Sequence, residues 1–297
     1  MILKGKTYDK IYKWLLVIPA LILIFCIVYL VQFNAQNGDI IYKDVSLTGG
    51  TTITVINEDV NIEELKTALS GQFDDLFIRG ISDLRTGKQS GFLLETGAEV
   101  GEIRKALEDY LGYELTVENS SVEFTGATLS SGFYQQLKWA VILAFVFMAL
   151  VVFIIFRTFI PSFAVILSAF ADIIMTLTVV DLLGVKMSIA GIIAFLMLIG
   201  YSVDTDILLT SRVLKRGEGS VNQRIKSAFG TGMTMTLTSI VAISVSLAII
   251  YNLSDTLRQI FSVLLLGLGF DMLNTWITNA SILKIYAEKK ENKGRKF

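Results

Sequence analysis

Four aspartates stand inside runs of residues apolar enough to enter a bilayer: Asp172, Asp204, Asp206 and Asp271. No Lys or Arg lies deep in the same runs. A charge at the membrane centre costs roughly 2.5–3.5 kcal/mol on insertion scales, so carboxyls kept there mark a pathway or a relay. With no cation beside it, such a carboxyl is suited to taking up and releasing a proton as a site is opened to each side in turn. Asp204 is the expected centre of such a cycle, because Arg212 follows it by eight residues, roughly 12 Å of helix. Asp206 is only six residues from Arg212, roughly 9 Å, and reads equally well as a shallow, hydrated group. Two helical positions turn through about 200°, so these two side chains address different neighbours.

Asp271 falls in a polar stripe with Gly267, Asn274 and Thr278, at helical offsets 0, 4, 7 and 11. Thr231, Thr234 and Thr238 share one face of another apolar run, with hydroxyls that can bond a carboxyl in the bilayer. Both stripes read equally well as close packing between helices through small and hydroxyl-bearing residues.

Helices must hold these groups, and composition supplies them. Of the 297 residues 53% are hydrophobic and only 2 are proline, with a mean hydropathy of +0.61. A water-soluble globule would have to hide too much apolar surface. About 20 apolar residues cross the hydrocarbon core, and six windows qualify, near 14–32, 137–156, 159–180, 187–210, 231–251 and 257–283. The first reads as an uncleaved anchor, because its apolar core is long and no small-x-small site follows. Lys4, Lys6, Lys10, Lys13, Arg157, Arg212, Lys215, Arg216, Arg224, Lys226, Lys284, Lys289, Lys290, Lys293, Arg295 and Lys296 all fall on one side if the N-terminus is cytoplasmic. The short outside loops then carry only Lys186 and Arg258, so the positive-inside rule puts both termini in the cytoplasm.

Residues 34–136 then lie outside as a folded head. TTITVI (51–56) reads as a strand, NIEELKTALSG (61–71) as a helix capped by Asn61, and DLFIRGIS (75–82) and GFLLET (91–96) as two strands about the turn DLRTGKQS. AEVGEIRKALEDYLG (98–112) repeats the helical pattern and YELTVE (113–118) reads as the last strand. The order is βαββαβ, the ferredoxin-like plan. The expected division is 1–33 for the N-terminus and first span, 34–136 for the head, 137–285 for the other five spans and 286–297 for a basic tail.

Several chemistries are disfavoured. There is no histidine and one cysteine, Cys26, which removes disulfide frameworks, His/Cys metal sites and His-dependent nucleophiles. No P-loop, nucleophile elbow or HExxH motif occurs, so neither an enzyme nor a cofactor is expected. Residues 34–138 hold 8 basic and 17 acidic side chains, which argues against nucleic acid as a partner. The cytoplasmic stretch RVLKRGEGSVNQRIKSAFG reads as a solvated basic loop or as a contact for anionic headgroups or a channel loop.

Three motifs resemble the SecF subunits of SecDF protein-export complexes, a branch of the RND superfamily, in their archaeal form. VSLTGGTT (45–52), with Gly49 and Gly50, resembles the segment after the family's first span. AFADIIMTL (169–177) is similar to the third-span signature, with Ala171 in place of a histidine and Asp172 at the family aspartate. GYSVDTDILLTSR, from Gly200, Tyr201 and Ser202 to Arg212, resembles the fourth-span signature, and FDMLNTWITNASILKIY (270–286) the sixth span. The acidic residue of bacterial SecF aligns with Thr205, Asp204 matches a position of SecD, and a bacterial arginine near Thr231 is absent. The resemblance implies an RND-type half-bundle in the cell membrane, pairing with six helices of SecD. It also implies work beside the Sec channel on translocating polypeptides, driven by a proton gradient in bacterial members. A small-molecule or lipid transporter of the RND type is the alternative, and an assembly factor or sensor a third reading.

Overall fold

A computed structural model describes residues 12–73, 76–82, 86, 88–214, 219–251 and 254–294. Lys4, Lys6, Lys10, Lys215, Arg216, Arg295 and Lys296, and Asp83, Leu84, Arg85 and Gly87 of the expected turn, lie outside the described residues.

Among the described residues six helices have membrane-crossing length and hydropathy. The first is α1 (Val17–Asn37), which ends at Gly38 in the left-handed conformation with φ 75°. A one-turn helix α2 (Val45–Thr48) follows, and its first amides are met by the carboxylate of Asp44, which accepts from Ser46 N at 2.9 Å. Burial raises the Asp44 carboxyl above the ordinary range even though Ser46 donates to it. Next comes the head: β1 (Gly50–Val55), α3 (Ile62–Leu69), β2 (Phe77–Ser82), β3 (Gln89–Thr96), α4 (Val100–Leu111) and β4 (Ser120–Thr125). The remaining spans are α5 (Ala127–Phe156), α6 (Phe159–Leu182), α7 (Ile189–Leu214), α8 (Val221–Ile250) and α9 (Asp255–Leu273). The last runs through a π-helical turn (Asn274–Asn279) into α10 (Ala280–Gly294).

The head is a single antiparallel sheet in the order β2-β3-β1-β4. This is the ferredoxin-like arrangement read from the sequence. Alternation puts Ile53, Val55, Phe92 and Leu94 on the face that α3 and α4 cover with Leu65, Leu69, Ile103 and Leu107. The last strand is misplaced in the sequence reading, since β4 is Ser120–Thr125 and the YELTVE segment forms no strand. Leu115 is instead clamped to α4: its amide donates to Glu108 Oε1 at 2.9 Å, and its carbonyl accepts from Arg104. The Leu115 amide and the Arg104 guanidinium hold the Glu108 carboxyl below its usual range. Val117, an inward position in the strand reading, is left 99% exposed.

The glycine pair of the first motif sits where the head meets the bundle. A Cβ on Gly49 (φ 87°) would stand 2.5 Å from Ala127 Cα, and one on Gly50 (φ 143°) 2.3 Å from Thr96 O. Only glycine permits both the close approach and the backbone angle. The same joint is tied to the α6–α7 loop, where Met187 N donates to Tyr42 O at 2.6 Å and Asp44 N to Met187 O at 3.0 Å.

At the opposite end the last helix closes onto the others. The wholly buried Lys284 ammonium donates to Asn222 Oδ1 at 2.7 Å and lies 3.7 Å from Glu288, whose carboxylate also accepts from Tyr12 at 3.2 Å. Arg224 pairs with Glu291 and donates to Val213 O at 2.7 Å.

Gly91 in β3 faces the carbonyl of Val55, 2.2 Å from where a Cβ would stand. Replacing it with Ala forces the β1 and β3 backbones apart, at a cost of about 1–3 kcal/mol. Limited proteolysis of the full chain should then cut Gly91→Ala within the head at protease levels that leave the parent intact.

Candidate functional site

The helical phase of α6, α7 and the last span decides which polar groups meet. On α7, Ser202, Asp206, Leu209 and Val213 share the inward face, at most 1% exposed. Gly200, Tyr201 and Asp204 share the outward one. Asp172 comes from the buried face of α6, and Asp271 with the π-helical turn from the last span. Asp172, Asp206 and Asp271 are all fully buried.

Their hydrogen bonds fall into two neighbouring sets, one about Asp172 and one joining Asp206 to Asp271. Asp172 Oδ2 accepts from the Ser202 hydroxyl at 2.5 Å and its Oδ1 from Asn274 Nδ2 at 2.7 Å. Asp206 Oδ1 accepts from Asn279 Nδ2 at 2.7 Å and from the Thr275 hydroxyl at 2.8 Å. The same Thr275 oxygen lies 3.0 Å from Asp271 Oδ1. Thr278 adds an outer link, donating to Asn274 Oδ1 at 3.3 Å. No Lys or Arg pairs with any of the three carboxyls among the described residues. Nor, among the described residues, do three acidic groups converge as metal ligands would.

Hydrogen counting gives the second set its chemistry. A threonine hydroxyl has one hydrogen to donate. It serves one of Asp206 and Asp271, and the other carboxyl meets a lone pair unless it carries a proton and donates in return. Through Thr275 the two carboxyls stand within roughly 6 Å of each other, where two bare charges repel by about 3 kcal/mol even at an effective dielectric near 20. Both considerations favour at least one proton shared by the cluster.

The π-helical turn is what brings in so many side chains. An inserted residue in a helix rotates everything beyond it, so Asn274 and Thr278 reach the Asp172 side while Thr275 and Asn279 reach Asp206.

The sequence expectations meet this geometry unevenly. Asp172, Asp206, Asp271, Asn274 and Ser202 come together. Asp204 does not: it is exposed on the outer face of α7, so depth along the helix misidentified the buried member of the pair, and face decides it. Thr231, Thr234 and Thr238 do share one face, but it points away from the carboxyls. Thr234 donates to Gly230 O at 2.9 Å and Thr238 to Thr234 O, the usual fate of a lone hydroxyl in an apolar helix. Thr275 and Asn279 were missed. They stand four and eight residues after Asp271, a spacing that would have found them. Asp181, buried at the C-terminal end of α6, also escaped the span windows.

A six-helix membrane unit with a βαββαβ head after its first span, and a cluster of carboxyls without a cation inside, is an RND-type half-bundle. Residues 106–289 match the family model for the C-terminal region of the protein-export membrane proteins SecD and SecF. The protein-export membrane protein SecF of Methanocaldococcus jannaschii is 41% identical over 283 residues, covering 93% of this chain and 96% of that one. The SecF of Methanothermobacter thermautotrophicus is 38% identical, covering 94% of each. The crystal structure of SecDF from Thermus thermophilus, a translocon-associated membrane protein, superposes with a TM-score of 0.72 at 20% identity, over 94% of this chain. This chain spans 38% of the length of that one. The chain belongs to the SecF family of protein-export membrane proteins.

Thr275→Val keeps the shape and removes the shared hydroxyl, leaving two buried carboxyls without their common partner. The purified protein should lose about 1–3 kcal/mol of stability, read as a lower melting temperature in detergent, and Thr275→Ser should restore it. A valine variant that melts with the parent would contradict the bridging role.

Proposed function

We propose that the chain works with a SecD-type bundle to move polypeptides across the membrane beside the Sec channel, and that a proton taken up and released by Asp172, Asp206 and Asp271 couples this work to an ion gradient. The observation that carries the coupling is the single Thr275 hydroxyl between two buried carboxyls. Protonation and release at such a cluster change which of its hydrogen bonds can form, and so change how α6, α7 and the last span pack. The kinship with protein-export membrane proteins supports protein export, and the length of the solved SecDF chain supports a second bundle.

The exposed face of α7 and α8 is where that second bundle fits. Gly200, Tyr201 and Asp204 lie on it, with Thr231, Thr234 and Thr238 on the neighbouring helix. Gly232 of α8 lies against Thr205 of α7, which puts these groups on adjacent helices. A carboxylate turned toward lipid is costly, and a polar partner helix covering Asp204 removes that cost. The divisions at 33, 136 and 285 belong to the same reading, with the head outside the cell and both termini in the cytoplasm. No catalytic residue and no cofactor is required.

Two measurements check this. In proteoliposomes holding the chain, its partner and the channel, Asp206→Asn or Asp172→Asn should reduce gradient-stimulated translocation to the level seen without a gradient. Exchanging sodium for potassium should change nothing; a dependence on sodium, or full activity in both variants, contradicts proton coupling. In a Cys26→Ala background, an impermeant maleimide should label Glu123→Cys from outside the cell and Lys226→Cys only after lysis, and the reverse pattern would invert the topology.

A further inference from the structure

A cavity of about 190 Å³ lies between α5, α6 and α7, just below the head. Leu177 and Phe195 form its inner wall, while Ile40 (41% exposed) and Ile142 (51% exposed) stand where it opens sideways. Its two polar lining residues, Tyr134 and Lys138, are both on α5. Trp139, 62% exposed, lies beside them, and a Trp–Lys pair at the end of a span marks the level of the headgroups. The opening therefore faces lipid at the boundary between acyl chains and headgroups.

The charges at this end are already sorted. Tyr134 donates to Asp39 Oδ1 at 2.6 Å, and Lys43 pairs with Asp39 Oδ2 at 3.2 Å. Burial by itself would push the Asp39 carboxyl up, but the Tyr134 hydroxyl, the Ile40 amide and Lys43 together hold it below its ordinary value. Asp39 thus stays ionised and engaged with Lys43. The Lys138 ammonium lies 4.5 Å from the other contact of this group, the Tyr134 ring, and forms no ion pair among the described residues. A cation over an aromatic ring, at the rim of an apolar slot open to the bilayer, suits an anionic lipid with one chain in the slot and its phosphate on the ammonium.

We propose that this slot is a binding site for an anionic phospholipid, with Lys138 as its headgroup contact and the Leu177–Phe195 wall as its chain contact. A chain there fills space between α5, α6 and α7 next to the joint that carries the head. The site is independent of the carboxyl cluster and of any ion coupling.

The test uses the full chain in nanodiscs of phosphatidylcholine doped with a trace of diazirine-tailed phosphatidylglycerol or diazirine-tailed phosphatidylcholine, with adducts mapped by mass spectrometry. The glycerol lipid should label Ile142, Leu177 and Phe195 about fivefold more than the choline lipid does, the factor one lysine supplies at an anionic interface. Lys138→Gln should abolish that preference and leave labelling of the distant Val245 unchanged. Leu177→Trp, which fills the slot, should remove labelling at Phe195, and Ile142→Trp, which blocks the opening, serves if the first variant fails to fold. Equal labelling by both lipids, persistence of labelling in the blocked variants, or cross-linking of the slot to a polypeptide when the partner is present overturns the proposal.

Discussion

Three buried carboxyls held without a cation are the constraint on which the bundle depends. Taking any of them out of water is unfavourable unless it is hydrogen-bonded, and the chain meets that demand with donors from two elements. Ser202 comes from α7, Asn274, Thr275 and Asn279 come from the last span, and α6 supplies Asp172 itself. The packing of α6 and α7 against the last span is therefore tied to the protonation of the cluster, since each carboxyl accepts or donates according to whether it carries a hydrogen. A bundle of interchangeable apolar helices would have no such dependence.

The π-helical turn at Asn274–Asn279 makes this arrangement possible. A regular helix would present either the Asn274–Thr278 row or the Thr275–Asn279 row to the centre. The wider turn presents both, and so lets one helix serve Asp172 and Asp206 together. Its position three residues after Asp271 places the Asn274 amide and the Thr275 hydroxyl about one turn from the third carboxyl, with Asn279 one turn further on. Around this core the ends are fixed by ordinary means: the buried Lys284 and Arg224 pairs at one end, and the Gly49–Gly50 crossing at the other.

Much of this could be read from the sequence, and the failures have physical causes. Hydropathy finds the six spans because each must satisfy its backbone alone in lipid. Period-two and helical patterns give the order of the head because one face of each element is buried. YELTVE failed because alternation says nothing about which neighbour claims the segment, and Arg104 and Glu108 claim it for α4. Asp204 and Asp206 differ by face rather than by depth, and face is set by packing against α6 and the last span. Ser202, four residues before Asp206 on the inward row, carried that information in the sequence. The threonines of α8 do form one face, but periodicity cannot say whether a face looks in or out. A π-helical turn leaves no composition signal, so the convergence of Asn274, Thr275 and Asn279 is visible only in the fold.

The central claim is that the cluster holds a proton when the protein is at rest. Infrared difference spectroscopy of the carboxylic acid carbonyl stretch tests it directly, comparing the parent protein with Asp206→Asn and Asp271→Asn in lipid at neutral pH. The account predicts a protonated-acid band in the parent that weakens in at least one of these variants and shifts when Thr275 is replaced by valine. A parent spectrum with no such band, and only ionised carboxylate absorption assignable to these residues, would contradict it.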